Sequence, residues 1–347
     1  MKNCGNISGL NVDTVNSEIF KNITLGAVRI EENDGWISFH RFGSDMEKSI
    51  SERRSVIASR VTCTANIKLE FYTKGGEVSF DFKVTPGTNR EYYSIDIAVD
   101  DAYKYNISKN VSEDEDTFSY YIKESDEEKR VTIYFPSTAC VKIKNLKLPS
   151  DFKPHQRKRK ILVLGASGYQ GYHPDHFQNT SMNIVADFYD ADMINQGIGG
   201  ERFNKENIER LDFNPDIIIV GFGINDWVSG KFKNGEDARE YLEKLTELYR
   251  DCPVFLVLPQ EMEWLEKTRK NDDLLYKADN ENSQTLQDVR DILFEISKDF
   301  KNIITINSKN FTQNYPGFFF DDNVHFTDFG NTRFALSFIK ELGKYYK

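Results

Sequence analysis

The stretch ILVLGASGYQGYHPDH, Ile161 to His176, carries residues for two incompatible chemistries. As an apolar strand followed by Gly165, Gly168 and Gly171, it would cradle the phosphates of a nucleotide, as a dehydrogenase or epimerase does. As a strand entering a sharp turn with Ser167 at its tip, it would present a nucleophile, as a hydrolase does. Polar residues suited to the second chemistry recur downstream, in NQGIGGERF from Asn195, GFGINDW from Gly221 and DDNVHFTDFGN from Asp321. His173 and His176 raise a third option, a metal site. With only 5 histidines in the chain and no matching second pair, neither a metal nor any other cofactor is expected.

The elements that must hold these residues follow from the hydrophobic periods. From Ile161 onward, the apolar runs ILVLG, ADMINQG, DIIIVGFG, PVFLVLP and NIITIN alternate with helical segments around 177–189, 237–249, 284–298 and 327–345. Continuous apolar strands separated by helices predict an α/β domain, a five-stranded parallel sheet covered on both faces. Ligands of such sheets bind beyond the carboxyl ends of the strands, so the chemistry belongs just after each strand. Residues 25–148 are instead written in period two. In VTCTANIKLEFY, Val61, Cys63, Ala65, Ile67, Leu69 and Phe71 alternate with Thr62, Thr64, Asn66, Lys68 and Glu70. EVSFDFKV, YSIDIAVD, TFSYYIK, VTIYFP and CVKIKNLKL repeat the pattern. Such half-buried strands predict an all-β sandwich, jelly-roll-like, without helices. Between the two styles, PSDFKPHQRKRK reads as a solvated connector. The expected organisation is a sandwich over 1–150, a linker over 151–160 and an α/β domain over 161–347.

The nucleotide reading needs a helix that starts at the glycines and an acidic residue ending the second strand. Pro174 and the histidines interrupt the first, and Asn195-Gln196 stands in place of the second. The nucleophile reading finds its polar groups after the right strands. In these four blocks the chain resembles the SGNH (GDSL-like) hydrolase family: Ser167, Gly200, Gly223-Ile224-Asn225-Asp226 and Asp322-Asn323-Val324-His325, in the family's order. The resemblance covers about residues 160–347 and implies a flavodoxin-like catalytic domain. It departs from the usual G-D-S in having Ala166 before the serine. It implies Ser167 as nucleophile, His325 as base and Asp322 as the acid that orients it. The oxyanion would be met by the amides of Ser167 and Gly200 and the side chain of Asn225, with Gly199 as the alternative to Gly200. Trp227, His173 and Trp264 are expected to line the substrate pocket.

A sandwich ahead of such a domain resembles two-domain bacterial carbohydrate esterases, which implies removal of O-acetyl or other short acyl groups from oligosaccharides derived from plant polysaccharides. A lipid or thioester acylhydrolase and a non-catalytic glycan-binding protein are the alternatives. The formal charge of -10 argues against a nucleic-acid partner. No apolar run approaches the ~20 residues of a membrane span, and the N-terminus lacks a signal-peptide pattern. With Cys4, Cys63, Cys140 and Cys252 scattered and read as reduced thiols, a cytoplasmic location is expected.

Overall fold

The computed structural model describes residues 17–112, 114–262, 284–313, 315–322 and 324–346. The second half of the chain builds one parallel sheet. Its strands, in spatial order, are Ala191–Asn195, Arg159–Gly165, Ile217–Gly221, Val254–Leu258 and Ile303–Asn307. The central strand, IIIVG, is buried at every position. Helices Glu236–Leu248 and Leu286–Ser297 cover one face through Leu242, Leu245, Val289 and Leu293. Helices Ser181–Phe188 and Asp328–Leu342 cover the other through Met182, Val185, Phe334 and Phe338. Each such side chain stabilises the fold by roughly 1.5–3 kcal/mol when fully buried. Three of these helices start on a threonine cap, Thr180, Thr285 and Thr327, whose side chain accepts an amide hydrogen three residues on. The Thr327 cap fixes where the last helix begins, two residues after His325.

Residues before 150 form two antiparallel sheets around a phenylalanine-rich core that includes Phe39, Phe71, Phe80, Phe82, Phe118 and Phe135. One sheet runs Arg29–Asn33, Trp36–His40, Ala139–Lys147, Gly76–Pro86, Asp116–Ile122. The other runs Thr24–Leu25, Lys68–Thr73, Lys129–Tyr134, Tyr92–Val99, Ala102–Asn110. Among the described residues, no helix is long and apolar enough to cross a membrane.

Two expectations need correction here. The first half is not free of helices: Ser44–Arg53 and Ser55–Val61 precede the strand, which starts only at Lys68. Thr64, Asn66, Lys68 and Glu70, the positions expected to face water, are 0–1% exposed. Their face meets the parallel-sheet half, so both sides of this segment are buried and the alternation is one of apolar core against polar interface. Lys68 Nζ donates to Asp187 Oδ1 at 2.6 Å, Asn66 Nδ2 to Asn183 Oδ1 at 3.1 Å, and Tyr134 Oη to Asp187 Oδ2 at 2.7 Å. Burial pulls the Lys68 ammonium below its ordinary pKa.

The connector 151–160 is exposed at Asp151, Lys153, Pro154, Gln156, Lys158 and Lys160, yet it is pinned rather than loose. Lys153–Pro154 pairs as a short strand with Phe71–Tyr72, and Arg159 already belongs to the parallel sheet. The Arg157 side chain is 0% exposed; its Nε donates to Glu70 Oε1 at 2.6 Å and its Nη2 to Asp187 Oδ1 at 2.9 Å. A planar guanidinium can bridge two carboxylates in this way, and these ions come from opposite halves of the chain.

Candidate active site

The first parallel strand ends at Gly165 and the chain turns at Ala166 into the short helix Ser167–Gln170. Ala166 has no side-chain oxygen to cap that helix, so backbone groups hold the turn. The Ala166 carbonyl accepts from Tyr169 N and Gln170 N at 3.1 and 3.0 Å, and Ala166 N donates to Gly221 O at 3.2 Å. The Tyr169 ring lies across the ends of two strands. A Cβ at Gly221 would stand 1.9 Å from Tyr169 Cε2, and one at Gly165 2.8 Å from Tyr169 Cβ. Glycine at both positions is therefore a packing requirement.

At the tip, Ser167 Oγ lies 2.8 Å from His325 Nε2, and His325 Nδ1 lies 2.6 Å from Asp322 Oδ2. The other carboxylate oxygen of Asp322 accepts the amides of Val324 and His325, both at 2.9 Å. Burial works to raise the Asp322 pKa. The imidazole's hydrogen bond and charge, with the two amides, outweigh that and hold the carboxyl well below the usual carboxylate range. Hydroxyl, imidazole and ionised carboxylate thus stand in one hydrogen-bonded line, the arrangement needed to move a proton off the serine.

The loop after the second strand and the helix start after the third meet beside this line. Asn225 Nδ2 donates to Glu201 O at 2.8 Å. Gly199 N is committed to Gln170 Oε1 at 2.6 Å, which leaves Gly200 N as the donor of the pair without a recorded partner among the described residues. Gly200 sits at φ +80, where a side chain would be strained and would meet Arg60 Nη1. Asp226 is buried and accepts from Phe203 N and Gly223 N at 3.1 and 3.2 Å. Burial pushes its carboxyl up to about 6.

The sandwich reaches this loop with three arginines that the sequence patterns did not single out. Arg41, 0% exposed, donates to the carbonyls of Cys63, Asn195 and Gly197. Arg60 Nη1 donates to Gly199 O at 2.7 Å, and Arg54 Nη1 pairs with Glu201 at 2.8 Å. A fourth contact comes from the turn before Tyr92: the Tyr172 hydroxyl bonds Asn89 Oδ1, and Arg90 Nη1 lies 2.5 Å from His173 Nδ1. No local periodicity marks these residues, because their partners in the second half lie more than a hundred positions away for the arginines at 41–60, and 83 away for Asn89 and Arg90.

The remaining expected site residues divide. His173 stands against the line, its ring 5.2 Å from that of His325 and 5.1 Å from Phe320. Trp227 is not among the walls of the cavity beside Ser167: it is 3% exposed in the core, and its Nε1 donates to Gln284 O. Trp264 lies outside the described residues. His176 turns away to Asp96, at 3.2 Å, so it forms no metal pair with His173. Single donor atoms of His173, Asp322 and His325 do fall within 4.8 Å of one another. A cation there would draw on Asp322 and His325, the two groups already joined in the line. Cys63, Cys140 and Cys252 are unpaired.

Beside Ser167 opens a cavity of about 60 Å³ whose walls include Phe222, Ile224, Leu258, Met262 and Val324 together with Asn225 and His325.

Residues 163–333 match the family model of the GDSL-like lipase/acylhydrolase family. No curated protein sequence matches the chain. Among solved structures, the chain is similar to a salicylyl-acyltransferase from a tetracycline biosynthetic pathway, with TM-score 0.72 and 14% identity over 92% of this chain and 94% of that one. A protein of Bacteroides ovatus named as a GDSL-like lipase gives TM-score 0.68 and 16% identity over 94% and 96%. A family two carbohydrate esterase from Clostridium thermocellum, in complex with cellohexaose, gives 0.60 and 14% over 92% and 99%. At these identities the likeness is one of fold, and it extends over both halves of the chain.

Proposed function

We propose that this chain, whose residues 163–333 match the GDSL-like lipase/acylhydrolase family model, is a serine esterase that removes short acyl groups, acetyl foremost, from carbohydrate. The observation that carries the reading is the Ser167–His325–Asp322 line, with Ser167 and His325 among the walls of a small, largely apolar cavity. His325 takes the proton of Ser167 as the oxygen attacks the ester carbonyl. The developing oxyanion is met by Ser167 N, Gly200 N and the second amide hydrogen of Asn225, whose first is already fixed on Glu201 O. His325 then gives that proton to the sugar oxygen as its bond to the acyl carbon breaks, releasing the hydroxyl, and a water repeats the sequence on the acyl-enzyme. Asp322 keeps the imidazole in the Nδ1–H tautomer and stabilises it when charged.

The cavity supports a short acyl group over a lipid. An apolar cavity of ~150 Å³ holds the six carbons of benzene, or ~25 Å³ per carbon. The cavity here, about 60 Å³, then takes a chain of about two carbons beyond the carbonyl. A carbohydrate leaving group has the support of fold likeness alone, through the family two carbohydrate esterase. We propose further that the sandwich, residues 1–150, braces the 161–347 domain rather than capturing glycan: its arginines hold the oxyanion loop.

The test is initial rates on nitrophenyl esters from acetate to decanoate, then on acetylated xylo- and manno-oligosaccharides, with Ser167→Ala as the control. Activity confined to the short esters and to the oligosaccharides, and lost in the variant, is expected. Rates that peak at octanoate or beyond would assign the site to lipids, and a flat zero would leave a binding protein.

A further inference from the structure

His173 is more than a pocket wall. It is one of the described non-glycine residues at positive φ, +74, a region that side chains enter sparsely and that merits a reason. Its imidazole is held from both ends. On one side Arg90 Nη1 lies 2.5 Å from Nδ1. An arginine can only donate, so Nδ1 must be the acceptor and Nε2 must carry the hydrogen. On the other side that Nε2 lies 3.5 Å from Asp322 Oδ2, the same oxygen that takes the hydrogen of His325 Nδ1.

Arg90 is itself fixed. It stacks over the rings of Tyr92 and Phe320, each 5.3 Å from the guanidinium carbon, and its Nη2 pairs with Asp175 at 3.3 Å. Tyr92 belongs to the sandwich, and its hydroxyl donates to Asp175 O at 3.0 Å. Tyr172, its ring tilted 4.6 Å from that of His325 and edge-on 4.9 Å from that of His173, completes the enclosure.

We propose that His173, set in its Nε2–H tautomer by Arg90 of the sandwich, is a positioning residue that holds Asp322 in line with His325. The proposal rests on the esterase reading only for its kinetic test. The charged and titratable groups that face His173 are Arg90, Tyr172, Asp175, Asp322 and His325. Burial, with the His325 and Arg90 charges, pulls its pKa down to about 4. It therefore stays a neutral donor through the pH range in which an imidazole base works. A second cation at this point would compete with His325 for Asp322; a neutral N–H adds a donor without that competition. The first half of the chain would then act on the reaction through a side chain as well as through loop packing.

Three substitutions of the full chain separate donor, ring and backbone. His173→Gln keeps an amide donor at about the reach of Nε2. His173→Phe keeps the ring and loses the donor. His173→Asn accepts positive φ readily but is too short to reach Asp322. On nitrophenyl acetate, Phe and Asn should lower kcat about fivefold to twentyfold with KM within about twofold, and should displace the acid limb of the pH–rate profile; these figures follow the ~10–100-fold cost of losing a group that orients a reacting one. Gln should recover kcat to within about threefold of the parent by the same reasoning. Wild-type kcat and an unmoved pH profile in both Phe and Asn would overturn the proposal. Imidazole nitrogen NMR decides independently of any substrate. The parent should show His173 neutral with its hydrogen on Nε2 at pH 6, and Arg90→Met should release it to mixed tautomers. A hydrogen on Nδ1 in the parent, or no change in Arg90→Met, would overturn the proposal even if every ester proves inert, an outcome that would by itself refute only the esterase reading.

Discussion

Replacing Asp322 by asparagine should damage the reaction more than the loss of one charge suggests. The carboxylate is engaged on both oxygens: Oδ1 takes two backbone amides at 2.9 Å, and Oδ2 takes His325 Nδ1 at 2.6 Å and faces His173 Nε2 at 3.5 Å. An amide side chain turns one of these oxygens into a donor. If the oxygen stays with the two amides, the new NH2 faces His325 and forces Nδ1 to accept, which puts the imidazole hydrogen on Nε2, where the serine proton must go. If the side chain flips, the tautomer is right, but two hydrogen bonds become donor–donor contacts. The first arrangement keeps two bonds more, worth ~2–3 kcal/mol, so the competent rotamer falls to roughly a hundredth. Loss of the charge that stabilises the imidazolium adds to this, with ~10⁴ the loss known for an analogous change in a serine triad. We therefore expect kcat on nitrophenyl acetate to fall by ~10²–10⁴, with the melting temperature nearly unchanged because the side chain sits at the surface. Asp321→Asn, one residue away, should stay within about threefold, as ordinary surface substitutions do. A loss below tenfold at Asp322, or an equal loss at Asp321, would refute the assignment of the acid.

Asn225→Ala should lower kcat by ~10²–10³, the usual cost of one oxyanion donor, measured on the same ester against KM. Arg157→Met should lower the unfolding free energy by ~3–5 kcal/mol in urea titration, because Glu70, at 0% exposure, would be left charged without its partner. The native chain should resist trypsin between Pro149 and Lys160, and the Arg157→Met variant should be cut there; rapid cleavage of the native chain would mean that the Arg157 contacts are not formed in solution. His173, with its folded pKa near 4 against about 6.5 unfolded, binds its proton more readily when unfolded. Its contribution is full above pH 6.5 and lost as pH falls toward 4, so the melting temperature of His173→Gln should fall less steeply than the parent's over that window.

What the sequence disclosed depended on how local the signal was. The parallel strands and their helices were legible because each apolar run is buried on both faces by its own neighbours. The four blocks were legible because each follows its strand directly, so chain position stands in for position in space. The segment Val61–Glu70 was misread for the opposite reason. Thr64, Asn66, Lys68 and Glu70 look like a solvent face because polarity in a strand usually means water, and nothing local says that the other half of the chain lies there. Trp227 misled in the same way: adjacency to Asn225 in sequence put it near the site, but the short helix Ile224–Val228 turns its ring into the core. Arg41, Arg60 and Arg90 gave no signal because a lone arginine in a sequence does not show which distant carbonyl or ring it will meet.

The polar character of the face around Lys68 and Glu70 also bears on how the chain is made. Lys68 is separated from its partner Asp187 by 119 residues, and Glu70 from Arg157 by 87. At ~5–20 residues per second, a ribosome needs roughly 6–24 s to travel from one member of the first pair to the other. During that interval the sandwich can close its phenylalanine core while this face has no partner. An apolar face of the same size would be a docking surface for other nascent chains. A face of lysine, glutamate, asparagine and threonine stays hydrated until residues 157 and 187 emerge, and only then gives up its water.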